Sequence, residues 1–256
     1  MKFVVFTDQK YSGLCSILLD SLQCFSQAEV TVYSLGFTFS NPHPKLLVIP
    51  FERCEGRSFW MERIYRLSQE SGSFILLDAD CVANWNVDQL FSLCNRGYPM
   101  MHQPGLHGQF YQVDLDYLQT TEAPIYVNTV PLVFSNGGSE RLRQLWPWIE
   151  KFNTRNHEVH GAEIDDERAL NFLRCATQEN VVMSICGPDR HLFDHYVSCK
   201  FDGVAQKHRG VSVTWHTFHG EKDEAKARAM FETLLHHGST FLYSNPWRNR
   251  VPQIYG

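Results

Sequence analysis

Two carboxylates, Asp78 and Asp80, stand at the end of the apolar run Phe74-Ile75-Leu76-Leu77. Four apolar residues after the breaker Ser71-Gly72-Ser73 read as a strand buried on both faces. Open α/β sheets bind ligands beyond the carboxyl ends of such strands. Residues two apart in an extended chain face the same way, so Asp78 and Asp80 are expected to point together. Adjacent carboxylates repel, and burying them unpaired is costly. A divalent cation relieves that repulsion and can also hold a diphosphate; oxygen donors of this kind suit magnesium or manganese. Asp-x-Asp is a common pattern, and the plain alternative is a capping Asp78 beside a solvated Asp80. The apolar run before it, and Cys81-Val82 and Val87-Asp88-Gln89-Leu90-Phe91 after it, favour the metal reading.

Two further segments carry reactive side chains. Glu163, Asp165, Asp166 and Glu167 crowd the start of an expected helix. Acids there complement the positive end of the helix dipole, and one of them can also serve as a general base toward a hydroxyl. Late in the chain, Val213-Thr214-Trp215-His216 reads as a strand end followed by His219, Gly220 and Lys222. An imidazole beside two carboxylates favours manganese, and His216 and His219 are both candidates. His157 and His160 precede the acidic helix, whereas His102 and His107 flank an expected loop. His191, His195 and Cys199 lack a fourth ligand at zinc-site spacing.

The elements that must position these groups alternate early. Strands are expected at Lys2–Thr7, Glu29–Leu35, Leu46–Pro50 and Phe74–Leu77, and helices at Ser12–Phe25 and Phe59–Glu70. That rhythm predicts βαβ units around a mostly parallel sheet flanked by helices. The second half is less regular. It holds an expected strand at Ile125–Ser135, a helix at Ser139–Asn153 that Pro147 should kink or split, and a helix at Asp165–Arg174. A strand at Val211–His216, a helix at Lys222–His236 and an aromatic tail, 241–256, expected to fold back, complete it.

The 256 residues suit one α/β domain. The net charge of −5, without basic clusters, gives no footprint for nucleic acid. No apolar run approaches the roughly 20 residues that span a bilayer, and the N-terminal run is too short for a signal peptide, so a cytoplasmic protein is expected. The eight cysteines form no CxxC pair and are expected as reduced thiols.

Leu76-Leu77-Asp78-Ala79-Asp80-Cys81-Val82, followed by Asp88-Gln89-Leu90-Phe91, resembles the metal-binding motif of GT-A-fold glycosyltransferases. The pattern is similar to the retaining family that includes glycogenin and bacterial lipooligosaccharide galactosyltransferases. Other segments match in order along the chain. Thr7-Asp8-Gln9-Lys10-Tyr11 resembles the opening turn in which an Asp recognises the base and a Tyr stacks on it. Arg63 falls where the family holds the sugar nucleotide, with Arg66 as a competitor. Tyr126-Val127-Asn128-Thr129-Val130-Pro131 resembles the strand lining the sugar pocket, although Val130 replaces a Gly. Asp166 takes the place of the Asp near the reacting carbon, with Asp165 second, and Glu167 stands where the family has Gln. His216–Lys222 resembles the closing His-Gly-Lys segment with altered spacing.

The resemblance implies a single GT-A (Rossmann-like) domain, with a nucleotide-binding half over about 1–95 and an acceptor half over about 96–256. It implies a metal-dependent transferase, with Mn2+ or Mg2+ on Asp78, Asp80 and His216 or His219. A UDP-sugar donor would be held by Thr7, Asp8, Tyr11, Arg63, Ala79 and Lys222, and Asn128, Asp165 and Asp166 would be catalytic. A saccharide or other hydroxyl acceptor would receive the sugar, with retention favoured and inversion left open by the acidic cluster. A nucleotidyltransferase is the first alternative, weakened by the single Gly in Gln9–Gly13; a non-catalytic sugar-nucleotide-binding module is the second.

Overall fold

The computed structural model describes residues 1–83, 87–96, 99–102, 116–117, 131–176, 182–184, 195–197, 214–216, 223–229, 231–232 and 235. Four strands pair in parallel: Lys2–Asp8 (β1), Glu29–Leu35 (β2), Leu46–Phe51 (β3) and Phe74–Asp78 (β4). Among the described residues they continue into a seven-stranded sheet of order β3-β2-β1-β4-β7-β6-β8, in which β6 is Met100–His102, β7 Leu132–Phe134 and β8 Val182–Ser184. Here β7 runs antiparallel to both β4 and β6. The sheet is thus mostly parallel on the side carrying β1 and mixed beyond β4. A second sheet joins Cys81–Ala83 (β5), His195–Val197 (β9) and Thr214–His216 (β10) in the order β5-β10-β9.

Strand alternation divides the core in two. Phe3 and Val5 of β1 and Ile75 and Leu77 of β4 face Ser12–Phe25 (α1) and the 3-10 stretch Val87–Asn95. Val4, Phe6, Phe74 and Leu76 face the other way, onto Phe59–Gln69 (α2), Gly138–Gln144 (α3), Trp146–His160 (α4) and Asp166–Ala176 (α5). The sheet can be apolar on both sides because helices cover both.

Local chemistry sets the helix ends. Ser58 accepts a hydrogen bond from the Met61 amide at 3.1 Å and caps α2. Pro147 does split the expected helix: α3 stops at Gln144, and α4 starts at Trp146 with the proline in its first turn. Gly161, at φ 65°, ends α4 in the left-handed conformation a side chain resists. Asp88 accepts hydrogen bonds from the Ser26 hydroxyl and the Gln27 amide, tying the 3-10 stretch to the end of α1.

Residues 224–229 are helical and pack along α1, with Arg228 paired to Asp20 at 2.7 Å and Phe231 edge-on to Phe25. Among the described residues β3 forms one edge of the sheet, and Pro50 lies in it opposite Ser34. Cys15, Cys24, Cys54, Cys81, Cys94 and Cys175 are free thiols; Cys186 and Cys199 lie outside the described residues. Among the described residues no helix is long and apolar enough to cross a membrane.

Candidate active site

The carboxyl ends of β1 and β4 lie side by side, with Phe6 opposite Asp78. Above them opens a cavity of about 250 Å³, lined by Phe6, Thr7, Asp8, Tyr11, Phe59, Trp60, Arg63, Asp78, Ala79 and Asp80. Thr7, Asp8, Tyr11, Arg63, Asp78, Ala79 and Asp80, drawn from three separate stretches of sequence, thus meet in one wall. Phe6, Phe59 and Trp60 join them, and for these the residue types gave no signal. A spacing of three from Arg63 was the available clue for Trp60, because residues three apart share a helix face.

Asp78 is the last residue of β4 and shares the face of Phe74 and Leu76, toward α2. There it meets Arg63, whose guanidinium donates to Asp78 Oδ1 at 2.6 Å. Asp80 is not on the extended strand, as the same-facing expectation required. It lies in the turn after Asp78 and is only 3% exposed. Both still line the cavity, so the turn, rather than strand alternation, brings Asp80 in.

Arg63 also reaches Asp166 Oδ2 at 3.2 Å, so one buried guanidinium bridges β4 and α5. Burial alone would lower its pKa, but Asp166, Asp78 and Asp80 together raise it. The structure separates Arg63 from its competitor: Arg66 pairs with Glu62 at 2.8 Å and lies over Phe51. It also separates the acids. Asp166 is 5% exposed, and burial pushes its carboxyl up to about 6, against the opposing pull of Arg63. Asp165 is exposed and accepts the Arg168 amide at 2.6 Å, the geometry of a helix N-cap. Glu163 is exposed, as are His157 and His160, and His160 Nε2 lies 2.8 Å from Arg168.

At the other end of the cavity wall, Asp8 Oδ1 accepts the Tyr11 amide at 3.0 Å, fixing the turn that presents the Tyr11 ring. The Thr7 hydroxyl donates to the Asp8 carbonyl at 3.2 Å. Strand pairing sets His216 opposite Cys81, the residue after Asp80. Asn128, His219 and Lys222 lie outside the described residues, as do Val130, His107, His191 and the tail 241–256.

No protein-family model and no curated protein matches the sequence. Solved structures do match. The galactosyltransferase LgtC, crystallised with donor and acceptor sugar analogues, aligns with a TM-score of 0.62 at 15% identity, over 97% of this chain and 99% of that one. The chain has a GT-A fold. WbbM, a bifunctional glycosyltransferase, gives a TM-score of 0.61 at 10% identity, over 99% of this chain and 51% of that one. The glycosyltransferase GlyE of Streptococcus pneumoniae TIGR4 gives 0.57 at 14%, over 98% and 63%. At such identities the likeness is one of fold, and the GT-A framework places the cavity at the carboxyl edge of its parallel strands.

The donor set fits a divalent cation in its chemistry. Among the described wall residues, Asp8, Asp78 and Asp80 face one cation, Arg63, which also serves Asp166. Carboxylates thus outnumber cations among the described wall residues, and their oxygens are hard donors. Among the described residues no group of three or more His, Cys, Asp or Glu side chains forms a complete metal cluster. Asp78 and Asp80 are the two neighbouring wall carboxylates that could hold such an ion.

Proposed function

We propose that this protein is a glycosyltransferase that takes a UDP-sugar and moves the sugar to an acceptor hydroxyl. The observation that carries the reading is the convergence of Asp8, Tyr11, Arg63, Asp78 and Asp80 on one cavity at the sheet edge. Asp8 accepts the imide proton of uracil, and Tyr11 covers the face of the base. Asp78 and Asp80, with His216 or His219, hold Mn2+ or Mg2+. When bound, the cation offsets the charge that develops on the departing nucleoside diphosphate.

Arg63 holds Asp78 and Asp166 in fixed relation, so the donor end and the α5 end of the site move as one. Asp166 and Asn128 orient the sugar, and Lys222 adds positive charge at the diphosphate. Asp165 acts as a cap rather than in the chemistry. The reaction proceeds with retention of configuration, in one domain whose first ~95 residues bind the nucleotide, a size ordinary for a βαβ-based half. LgtC, crystallised with donor and acceptor sugar analogues, supports two sugar sites in this fold.

The test is a thermal-shift screen of UDP-sugars with and without manganese. A ligand that binds only the folded state raises its apparent melting temperature. At least one UDP-sugar is expected to raise it with manganese and much less without. No shift with any sugar nucleotide, under either condition, rules the reading out.

A further inference from the structure

Trp60 stands in the first turn of α2 and is 40% exposed, yet it lines a concave wall rather than an outer surface. The other large exposed apolar residues described, Met1, Leu47, Trp148 and Leu235, do not line this cavity. The Trp60 ring sits edge-to-face with Phe59 at 5.2 Å and lies 5.8 Å from the Arg63 guanidinium carbon. Tyr11 packs against the core on the α1 face of the sheet, whereas Phe59 packs against the core on the α2 face. The cavity thus has an aromatic wall from each face of the sheet, meeting over the ends of β1 and β4.

We propose that Trp60 is the surface on which the transferred sugar packs, its indole covering the C–H face of a pyranose ring beside Arg63. The inference rests on the UDP-sugar reading above. That reading assigns Asp8 and Tyr11 to the base and Asp78 and Asp80 to the diphosphate and its cation. Phe6, Thr7, Phe59, Trp60, Arg63 and Ala79 remain of the wall. Among these Trp60 presents the large exposed apolar face, and Arg63 joins Asp78 to Asp166. A pyranose presents hydroxyls at its rim and a patch of C–H bonds on its face. Charged groups suit the rim, and the electron-rich face of an indole suits the C–H patch. An exposed tryptophan next to a guanidinium and two carboxylates offers both at once.

Trp60 then sets how much the sugar adds to binding, without setting how tightly the nucleotide itself is held. The experiment measures calorimetric binding of UDP, UDP-glucose and UDP-galactose, each with manganese, to wild type, W60A and W60F. Melting temperatures confirm that the variants fold, as expected for a residue exposed on one side. In W60A, UDP affinity is expected within about twofold of wild type, and the better UDP-sugar about tenfold weaker, the scale of one aromatic face contact. W60F is expected to restore most of the loss. Equal weakening of UDP and UDP-sugar would assign the indole to the base and overturn the proposal. Unchanged binding of all three would overturn it as well. If wild type binds none of them, it is the UDP-sugar reading that fails, and the role of Trp60 falls with it.

Discussion

On the α1 face of the sheet the packing is almost wholly apolar. Cys15, Leu18, Leu19 and Leu22 close over Phe3, Val5, Ile75 and Leu77, and the Ser21 hydroxyl accepts the Ala83 amide at 2.9 Å while donating to the Leu18 carbonyl. The α2 face is built differently. Glu62, Arg63 and Asp166 are buried there, joined in ion pairs among elements that would otherwise be a hydrocarbon layer. Burying paired charges costs several kcal/mol per ion before their mutual attraction is counted. A fold that needed only stability would make both faces like the first. The difference teaches that α1 clamps the sheet, while α2 and α5 hold charge in place for the cavity at its edge.

Variants of the two faces should part company in measurement. The largest effect is expected from Asp80→Asn, at the cavity. Turnover should fall by about a thousandfold or more, the scale of several kcal/mol of lost charge stabilisation, with manganese-dependent donor binding lost and circular dichroism unchanged. Normal transfer by this variant would sink the metal assignment. On the α1 face, Leu18→Ala should cost about 3 kcal/mol in denaturant unfolding and leave kcat/KM per folded molecule near wild type. A loss of kcat/KM without a loss of stability would erase the distinction between the faces.

Asp166 offers a smaller and pH-dependent contrast. Its carboxyl titrates at about 6 in the folded protein against an ordinary 3.8, chiefly because it is buried. The folded state therefore keeps a proton that the unfolded chain has released, and stability falls as pH rises through that window. In chelator, thermal melts of Asp166→Asn should lack this part of the decline between pH 4 and 6; identical pH profiles would contradict the assignment. The smallest effect belongs to the neighbouring acid. Asp165→Ala should cost about 1 kcal/mol, the worth of an N-cap, with turnover preserved. A collapse in turnover would put Asp165 in the chemistry.

The sequence made the first half of the fold legible because its elements are long and well punctuated. β1, α1 and β2 fall within a residue of expectation, since apolar runs there end in Asp8, Ser26 and Gly36. Beyond β4 the strands described are three residues long and pair with partners far away in sequence, so neither their order nor the antiparallel course of β7 could be read locally. The same limit applies to the site. Arg63 and Arg66 are three apart on one helix, and the place where the end of β4 arrives decides between them. Asp165 and Asp166 are adjacent, and the docking of α5 turns one inward and leaves the other to cap. Trp60 was hidden for the opposite reason: an aromatic residue at a helix start reads as core until the neighbouring cavity is seen.

Pro50 in the edge strand β3 has a consequence for how the molecules behave in a crowd. An edge strand offers a row of unpaired backbone donors and acceptors to any other extended chain. Proline has no amide hydrogen, so at the exposed Pro50 that row is missing a rung. Strand β3 also carries Leu47, 56% exposed, the kind of side chain that would otherwise make such an edge adhesive. One imino acid thus lets the sheet end at β3 without inviting a second molecule to extend it.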